Sequence, residues 1–386
     1  MNARFSILSL SLAAAFSVNA SGIFLQEAVT ANAGTAGAGD GVYTQSAAAM
    51  WVNPATMSHM GKSLTTFNTL AFDIEMEYQD KGNDNGEAST FMPSAGAFHA
   101  HQVSDKVHLG LALGAVGGSS LSYGTDWAGA SLLDSITLTA MQLNPSLSYK
   151  LNEQWSFGAG AQISWAALEQ STNLVTAKQD TDWAYGFNLG MMYRHDDTWS
   201  VGASYRSKLE HDFNMKVKTS LPTSALNNLK TDIIVPEIID ISGSYAYTDK
   251  LNLLASVQFH RWSQWDTTTL DLDSSTGSGA SVEIERDWDD VWKFALGADY
   301  ELNSDWRLKA GISYETSPQD DPTKQWVDLP VGEQYRYSVG ASTQWDHITV
   351  DMFYEYADLG SVDMNRRGVE GSFDGRVHFV GMSFSF

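Results

Sequence analysis

From about Lys62 onward, apolar residues alternate with small or polar residues at a period of two. In WSVGASYR (199–206), Trp, Val, Ala and Tyr fall on one side of an extended chain, and Ser, Gly and Arg fall on the other. This alternation is the pattern of a β-strand with two different faces. The same division recurs at 182–194 and 305–316. The pattern therefore predicts strands with one apolar face, aromatic near its ends, and one small or polar face.

The alternating segments are long enough for their apolar faces to meet lipid. A strand that crosses a membrane needs about 9–11 residues and carries aromatic residues near both interfaces. Strands of soluble proteins average about five or six residues. We expect fourteen strands, near residues 62–78, 90–101, 106–118, 136–151, 154–171, 182–194, 198–218, 232–247, 250–270, 283–302, 305–316, 332–344, 347–358 and 373–386.

Short and long connections alternate along this series. The short ones are HQVSDK (101–106), LNEQW (151–155), RHDDTW (194–199), YTDKL (247–251), LNSDW (302–306) and QWDHI (344–348). Outer-membrane barrels combine an even number of strands with short periplasmic turns and longer external loops. The sequence therefore predicts an all-β fold, a 14-stranded antiparallel transmembrane β-barrel in the bacterial outer membrane, with both termini in the periplasm.

The N-terminus predicts export. In MNARFSILSLSLAAAFSVNA (1–20), one basic residue, Arg4, precedes an apolar run from Ile7 to Val18, and Val-Asn-Ala matches a signal-peptidase site. The apolar run is too short to cross about 30 Å of hydrocarbon as a helix. We therefore expect residues 1–20 to be a cleaved signal peptide rather than an anchoring helix.

Residues 33–57, AGTAGAGDGVYTQSAAAMWVNPATM, show no period and have too few charges for a solvated tail. A fourteen-stranded barrel encloses a lumen wider than its own side chains fill, since about eight strands already make a filled interior. Gly and Ala allow close backbone packing, and Pro54 fixes a turn. We therefore expect residues 21–61 to form an N-terminal hatch, or plug, inside a barrel of residues 62–386, with a periplasmic linker as the alternative.

Charge and composition exclude other classes of protein. The formal net charge of −23 opposes nucleic-acid binding, which needs an excess of Lys and Arg. The chain has no Cys, so disulfides cannot stabilise the exported protein. Acidic residues concentrate in QDKGNDNGE (79–87) and SPQDDP (317–322), which we interpret as solubilising loops rather than as a metal site.

Together these features resemble the FadL family of outer-membrane proteins, which transport long-chain fatty acids and, in some members, other hydrophobic molecules. The Gly-rich stretch followed by Asn53, Pro54 and Ala55 resembles the hatch motif of the family. Further similarity lies at 143–162, 200–213, 235–265 and 293–318. The resemblance implies passive transport without a cofactor and contact with outer-membrane lipid and lipopolysaccharide. The C-terminal Phe386 is similar to the terminal aromatic residue of other bacterial outer-membrane barrels, which implies recognition by the barrel assembly machinery.

The resemblance also implies where ligand binds and leaves. In the family, the mature N-terminus reaches an internal apolar pocket, and this segment is here Gly22, Ile23, Phe24 and Leu25. A kinked strand opens the wall sideways, and the third strand here carries Gly114, Gly117 and Gly118, for which close packing against the hatch is the alternative role. A carboxylate ligand needs a cation in the lumen. The candidates are Arg206, Lys293 and Arg286, each with a salt bridge to a lumen or hatch carboxylate as its alternative.

Other interpretations stay open. The loop 171–182 is shorter and more polar than the ligand-capturing loop of better-known members, and 220–236 is predicted to form a short amphipathic helix in its place. Uptake of aromatic hydrocarbons by the same fold is the main alternative function, and a general diffusion porin is a weaker one, since a hatch obstructs an open channel. An enzyme is not expected, because G-x-S-x-G is absent and the nine His residues are scattered.

Overall fold

The computed structural model describes residues 27–219, 226–274, 280–330 and 332–386. The predicted signal peptide and the predicted ligand contacts Gly22, Ile23, Phe24 and Leu25 lie outside these ranges. Within the described part of the chain, no helix is both long and apolar enough to cross a membrane.

The described residues form eighteen strands, as expected for a chain dominated by period-two alternation. These are β1 (Ser63–Asp80), β2 (Gly86–Ser104), β3 (Val107–Ser122), β4 (Ser135–Lys150), β5 (Trp155–Ser171), β6 (Val175–Arg194), β7 (Trp199–Arg206), β8 (Leu209–Thr219), β9 (Leu226–Val235), β10 (Ile238–Thr248), β11 (Leu251–His260), β12 (Thr267–Ser274), β13 (Ala280–Glu285), β14 (Val291–Glu301), β15 (Trp306–Glu315), β16 (Gln334–Trp345), β17 (Ile348–Arg366) and β18 (Val369–Ser385). The helical elements are α1 (Ala49–Val52) and 3₁₀ helices at Glu27–Val29, Asp40–Val42, Pro54–His59 and Trp262–Gln264.

Fourteen of the described strands close into an antiparallel ring, which confirms the predicted barrel. The ring runs from β1 to β7, continues through β10, β11 and β14, and passes on to β18, which pairs with β1. The other strands, β8, β9, β12 and β13, pair with one another and extend the wall at one end. Four of the predicted strands are therefore broken in two, at 198–218, 232–247, 250–270 and 283–302.

One end of the barrel, called here the short-turn end, carries the connections predicted to be short. They are 105–106, 151–154, 195–198, 249–250, 302–305 and 346–347. At the opposite end, called the loop end, strands run past their predicted bounds. Residues 172–174 alone join β5 to β6, so most of the predicted loop 171–182 is strand. The prediction of an amphipathic helix at 220–236 is wrong over Leu226–Val235, which is strand β9.

The outer face of the barrel is apolar and aromatic along much of the wall, as the alternation predicts. On β6, the outward side chains of Trp183, Tyr185 and Phe187 are 56%, 71% and 49% exposed. The intervening positions are small or polar and face inward, where Ala184 and Asn188 are buried. A band of exposed aromatic side chains is the typical interface of a barrel strand with lipid.

Toward the loop end, the inward face of β1 becomes apolar and its outward face becomes charged. Near the short-turn end, the inward residues are polar, as at Thr66 and Asn68. Farther along, the inward residues are apolar and buried: Leu70, Phe72, Ile74, Met76 and Tyr78. The outward residues Glu75 and Glu77 form ion pairs with Arg376 of β18. The lumen therefore has an apolar wall beyond the lipid band, a feature that was not predicted from the sequence.

Residues 27–61, called the N-terminal segment, contact inward-facing residues on several sides of the ring. The N–H groups of Gly39 and Gly41 donate to Ser256 on β11 and Ser242 on β10, at 2.9 and 3.2 Å. Elsewhere, the Asn68 side chain on β1 donates to the Ala28 carbonyl at 3.1 Å. The N-terminal segment therefore lies within the ring. The domain bounds 1–20, 21–61 and 62–386 stay a prediction.

Candidate functional site

The tripeptide Asn53-Pro54-Ala55 forms a capped turn that joins the N-terminal segment to the wall. The Asn53 side-chain oxygen accepts from the Ala55 N–H at 3.0 Å, and Pro54 starts a 3₁₀ helix at a position where an N–H is not needed. The Asn53 side-chain nitrogen donates to the carbonyls of Gly41 and of Met191 on β6, at 2.8 and 3.0 Å. One amide therefore ties two parts of the segment to the barrel.

Three glycines on neighbouring strands make room for this turn. A Cβ atom at Gly190 of β6 would lie 2.0 Å from the Asn53 side-chain oxygen, and one at Gly158 of β5 would lie 2.5 Å from the Ala55 nitrogen. A Cβ at Gly202 of β7 would lie 2.6 Å from the Gly41 carbonyl oxygen. These inward glycines therefore form a recess for the turn, because any larger residue occupies its space.

Arg206, at the end of β7, lies against the N-terminal segment in neutral surroundings. Its guanidinium donates to the Gln162 side-chain oxygen at 2.8 Å and to the Trp51 carbonyl at 3.1 Å, and it stacks 4.6 Å from the centre of the Trp51 ring. It also donates to Asn144 at 3.3 Å. Within the described part of the chain, no carboxylate lies within 4.0 Å of Arg206. A guanidinium whose partners are all neutral keeps its charge available for an ion pair with an anionic ligand.

A narrow cavity, called the inner cavity, adjoins Arg206. Its apolar lining includes Trp51, Val116, Leu138, Ala166 and Ile233. Its polar lining consists of Gln142, Gln162, Ser164, Arg206 and His211. An apolar cavity with a few convergent polar groups is the usual composition of a small-molecule site.

A second cavity, called the outer cavity, lies toward the loop end. It shares Leu138 and Ile233 with the inner cavity, so the two adjoin. The remaining apolar lining is Ile136, Leu168, Trp265, Leu270, Ile284, Trp326 and Leu329. The polar lining of the outer cavity is Gln170, Thr231, Asp232, Thr268, Arg286 and Asp328. The two adjoining cavities therefore extend from the loop end toward Arg206, with apolar residues in the majority.

The predicted cation Arg286 lines the outer cavity, but it is already paired. Its guanidinium contacts the Asp328 carboxylate at 2.7 Å, donates to Thr268 at 2.7 Å, and stacks 4.2 Å from the Trp265 ring centre. Arg286 therefore forms a salt bridge with a carboxylate of the connection between β15 and β16.

The predicted cation Lys293 lines a third, polar cavity against the N-terminal segment. This cavity also contains Glu27, Asp40, Glu355 and Arg336. Arg336 forms buried ion pairs with Glu27 at 2.9 Å and with Glu355 at 3.9 Å. Lys293 therefore shares its surroundings with carboxylates, and of the three predicted cations Arg206 is the one in neutral surroundings.

Asp40 organises the N-terminal segment near this polar cavity. Its two carboxylate oxygens accept from the N–H groups of Ala31 and Asn32, at 2.9 and 3.0 Å. Burial raises the pKa of Asp40, against the lowering effect of these hydrogen bonds and of Lys293 and Lys309. The carboxylate therefore depends on the fold of its own loop for stabilisation.

The wall of the barrel parts between β2 and β3. Their ladder ends at the pair Gly96–Gly114. Beyond it, β2 still pairs with β1 as far as Gly86, and β3 still pairs with β4 as far as Ser122. The two strands therefore separate toward the loop end while each keeps its other neighbour.

The predicted gate glycines occupy two different settings at this parting. Gly114 packs against the N-terminal segment, since a Cβ there would lie 2.4 Å from the Val29 side chain. Gly117 and Gly118 follow a bulge at Val116, beyond the last β2 pair. Val116 also lines the inner cavity, so the parting lies beside that cavity.

The whole of this architecture has known relatives. A family model described as "Outer membrane protein transport protein (OMPP1/FadL/TodX)" matches residues 11–386. The chain belongs to the OMPP1/FadL/TodX family. It is 23% identical to a long-chain fatty acid transport protein of Salmonella typhi, over 95% of this chain and 94% of that protein. It is 24% identical to outer membrane protein P1 of Haemophilus influenzae, over 89% and 87% of the two chains.

Solved structures of the OMPP1/FadL/TodX family share the fold. A Pseudomonas aeruginosa FadL homologue superimposes with a TM-score of 0.79 at 21% identity, over 95% of this chain and 98% of that one. The toluene transporter TodX of Pseudomonas putida gives a TM-score of 0.74 at 15% identity, over 92% and 98%. The protein is thus a bacterial outer-membrane barrel of a family of transport proteins.

Several groups at the cavities were not predicted from the sequence. Trp51, which lies within the predicted hatch, stacks on Arg206. Gln162 and His211 lie at inward positions of strands, and their polar character opposite lipid-facing residues was a usable signal. The apolar inward run of β1 was also visible, as Phe72, Ile74 and Met76 alternate with acidic residues.

Proposed function

We propose that the protein passively transports long-chain fatty acids, or similar hydrophobic molecules with an anionic head, across the outer membrane. The observation that carries this proposal is the setting of Arg206, a cation with neutral partners at the inner end of two adjoining cavities lined mostly by apolar residues. A carboxylate bound there forms a charge-assisted hydrogen bond. The acyl chain contributes about 0.8 kcal/mol for each methylene buried.

In this proposal, ligand enters the outer cavity, binds with its head at Arg206 and leaves sideways through the wall. The parting of β2 and β3 beside Val116, with Gly117 and Gly118 after the bulge, is the proposed exit. The N-terminal segment acts as the hatch whose movement releases ligand, and Gly22, Ile23, Phe24 and Leu25 line the pocket from the mature N-terminus. A variant that lacks residues 21–25 should accordingly bind fatty acid less tightly.

We propose that the short-turn end faces the periplasm, with both termini there, and that the outer face contacts outer-membrane lipid and lipopolysaccharide. Phe386 is the proposed signal to the barrel assembly machinery. Its backbone pairs with Thr65 at 2.8 and 2.9 Å, and its side chain is 48% exposed beside Phe67. Deletion of Phe386 should lower assembly in cells more than it lowers the stability of protein refolded in detergent.

The decisive experiment measures equilibrium binding of radiolabelled oleate and of methyl oleate to the full-length protein in detergent. We expect saturable oleate binding that falls about 10–100-fold in Arg206→Gln, because a hydrogen bond to a charged group is lost. Methyl oleate, which has no charge, should bind both proteins alike. The control is Arg376→Gln, on the outer face, where Arg376 pairs with Glu75 and Glu77.

Three results would overturn this assignment. Equal binding of oleate and methyl oleate would contradict carboxylate recognition. Saturable binding of toluene without binding of oleate would favour uptake of aromatic hydrocarbons. Passage of small hydrophilic solutes at the conductance of an open channel would favour a general diffusion porin, which the packing of the N-terminal segment in the ring opposes.

We further propose that the protein is not a hydrolase, although the fold brings Ser164, His211 and Asp182 together. The contacts are 3.1 Å from Ser164 to His211 and 3.4 Å from His211 to Asp182. The second distance is long, and Ser164 lies in ladders with both neighbouring strands, which leaves its backbone N–H no role as an oxyanion donor. We expect no hydrolysis of p-nitrophenyl laurate and no labelling by a fluorophosphonate; labelling of Ser164 would contradict this.

A further inference from the structure

A second break in the wall lies between β6 and β8, away from the parting of β2 and β3. The β6–β7 ladder ends at Asn188–Arg206, followed by one backbone bond from the Ser207 N–H to the Phe187 carbonyl. Pairing resumes only at Ala177–Val217. Residues 178–186 and 208–216 face each other without ladder pairs, although all are described. We call this stretch the β6–β8 seam.

The seam lies where the alternation of inward and outward residues changes phase between β7 and β8. On β7, the even-numbered Gly202 and Ser204 are inward and buried, whereas on β8 the odd-numbered His211, Phe213 and Met215 are. The phase changes at 207–208, between the strands. On β6 the even-numbered positions are inward as far as Asp180, which pairs with Leu168 of β5. The register then slips by one residue, since the next pair is Ala177 with Gln170. Continued onto β8, the register of the β6–β7 ladder would set inward residues of β6 opposite outward residues of β8, so that ladder does not continue across the seam.

Side chains replace the missing ladder. The Asp182 carboxylate accepts from the Asp212 N–H at 3.1 Å, and the Asp180 carboxylate accepts from the Asn214 N–H at 2.7 Å. His211 contacts Asp182 at 3.4 Å. A carboxylate inserted between two backbones holds them apart by the length of a side chain. Such bridges open by rotation about side-chain bonds, whereas a backbone ladder has to be broken.

The seam separates the inner cavity from the edge of the lipid band. On its inner side, Leu209 and His211 line the inner cavity together with Arg206. On its outer side, β6 exposes Trp183 and Tyr185. The exposed residues along β8 include charged or polar ones at every second position: Glu210, Asp212, Asn214 and Lys216. The change from aromatic to charged residues marks the interface of the membrane with water.

We propose that the β6–β8 seam is a side entrance through which a single-chain anionic amphiphile passes from the outer leaflet into the inner cavity. This inference rests on the proposed function, since it assumes that the ligand is an amphiphile bound at Arg206. An amphiphile dissolved in the leaflet holds its head at the interface, which is the depth of the seam. Passage there leads the head toward Arg206 and keeps the acyl chain out of water.

The test uses the absence of native Cys to bridge the seam. Asp180→Cys with Asn214→Cys places two thiols on residues that already make contact across the seam and that do not line the inner cavity. The matched control, Ala298→Cys with Ala310→Cys, bridges a regular β14–β15 pair on the outer face. Each variant is reconstituted in liposomes that contain radiolabelled oleate in the lipid, and the rate of oleate binding is measured with the disulfide formed and reduced. A short bifunctional thiol reagent replaces the disulfide where oxidation is incomplete.

We expect bridging of the seam to slow binding from the membrane about tenfold or more, with recovery on reduction, and the control bridge to have no effect. Equilibrium binding in detergent should be the same with and without the bridge, since the site itself is unchanged. An unaltered rate with the bridge in place, while detergent binding is intact, would overturn the side entrance alone. Absence of oleate binding by the unmodified protein in detergent would instead overturn the proposed function.

Discussion

At the scale of single residues, the recess for Asn53 shows how glycine positions the N-terminal segment. Gly190 leaves no space for a Cβ, which would lie 2.0 Å from the Asn53 oxygen, whereas a Cβ at Gly243 of β10 would meet nothing closer than 3.7 Å. We expect Gly190→Ala to destabilise the packed segment by about 1–3 kcal/mol. The measurement is ion conductance in planar bilayers, which should rise in Gly190→Ala and not in the control Gly243→Ala. Equal conductance in both variants would contradict the recess.

His59 gives the N-terminal segment a dependence on pH. It ends the 3₁₀ helix after Pro54, near the Ser156 hydroxyl at 3.4 Å. Burial, with Arg194 and Lys150 nearby, lowers the pKa of His59 from 6.5 to about 4. When the segment is released, His59 regains its ordinary pKa, so between pH 6.5 and about 4 the released form takes up a proton that the packed form does not. The packed form therefore has its full stability relative to the released form above pH 6.5. This free-energy difference falls by up to about 3 kcal/mol as the pH falls toward 4.

This pH dependence is measured by hydrogen exchange of the segment at pH 7 and pH 5. Exchange of residues 49–60, corrected for the intrinsic effect of pH, should be faster at pH 5 in the native protein. His59→Gln cannot take up the proton and should remove most of the difference. An acid response of the same size in His59→Gln would assign the effect to another group.

At the scale of strands, β1 has an apolar inward face and an acidic outward face toward the loop end. Ile74 is fully buried in the apolar inner wall, whereas its neighbour Glu75 faces outward in an exposed ion pair. We expect Ile74→Ala to lower the free energy of unfolding by about 2–5 kcal/mol, and Glu75→Ala to change it by less than about 1 kcal/mol. Urea unfolding in lipid vesicles checks both, and a larger effect at Glu75 would contradict the orientation of β1.

Strand positions could be predicted from the sequence, but strand breaks and pairings could not. Alternation and connection length suffice for the fourteen passes, since lipid fixes the outward face of each strand. The break between Arg206 and Leu209 was missed because alternation resumes at once on the other phase, so 198–218 looked continuous. The pairing of Arg286 with Asp328 was not predictable, because the two residues meet only when the connection between β15 and β16 folds over the outer cavity. The neutral setting of Arg206 likewise depends on strands distant in sequence.

At the scale of the whole molecule, the N-terminal segment contacts the ring on several sides. Ligand release that requires the segment to move can therefore be distinguished from release through the wall alone. Ser58 of the segment contacts Ser148 of β4, with the two hydroxyl oxygens 2.6 Å apart. Ser200 and Ser244 make a similar contact at 2.7 Å between β7 and β10, within the wall. Replacing each pair by Cys adds a reversible lock, one to the segment and one to the wall only.

We expect the disulfide between Ser58→Cys and Ser148→Cys to stop uptake of radiolabelled oleate by cells that express this protein as their transporter, because a hatch has to shift to release ligand. Reduction should restore uptake, and the wall lock should leave it unchanged. Binding in detergent should persist in both, since neither pair lines the inner cavity. Normal uptake with the segment locked would mean that ligand leaves through the wall while the N-terminal segment stays in place, and the parting beside Val116 would then suffice as the exit.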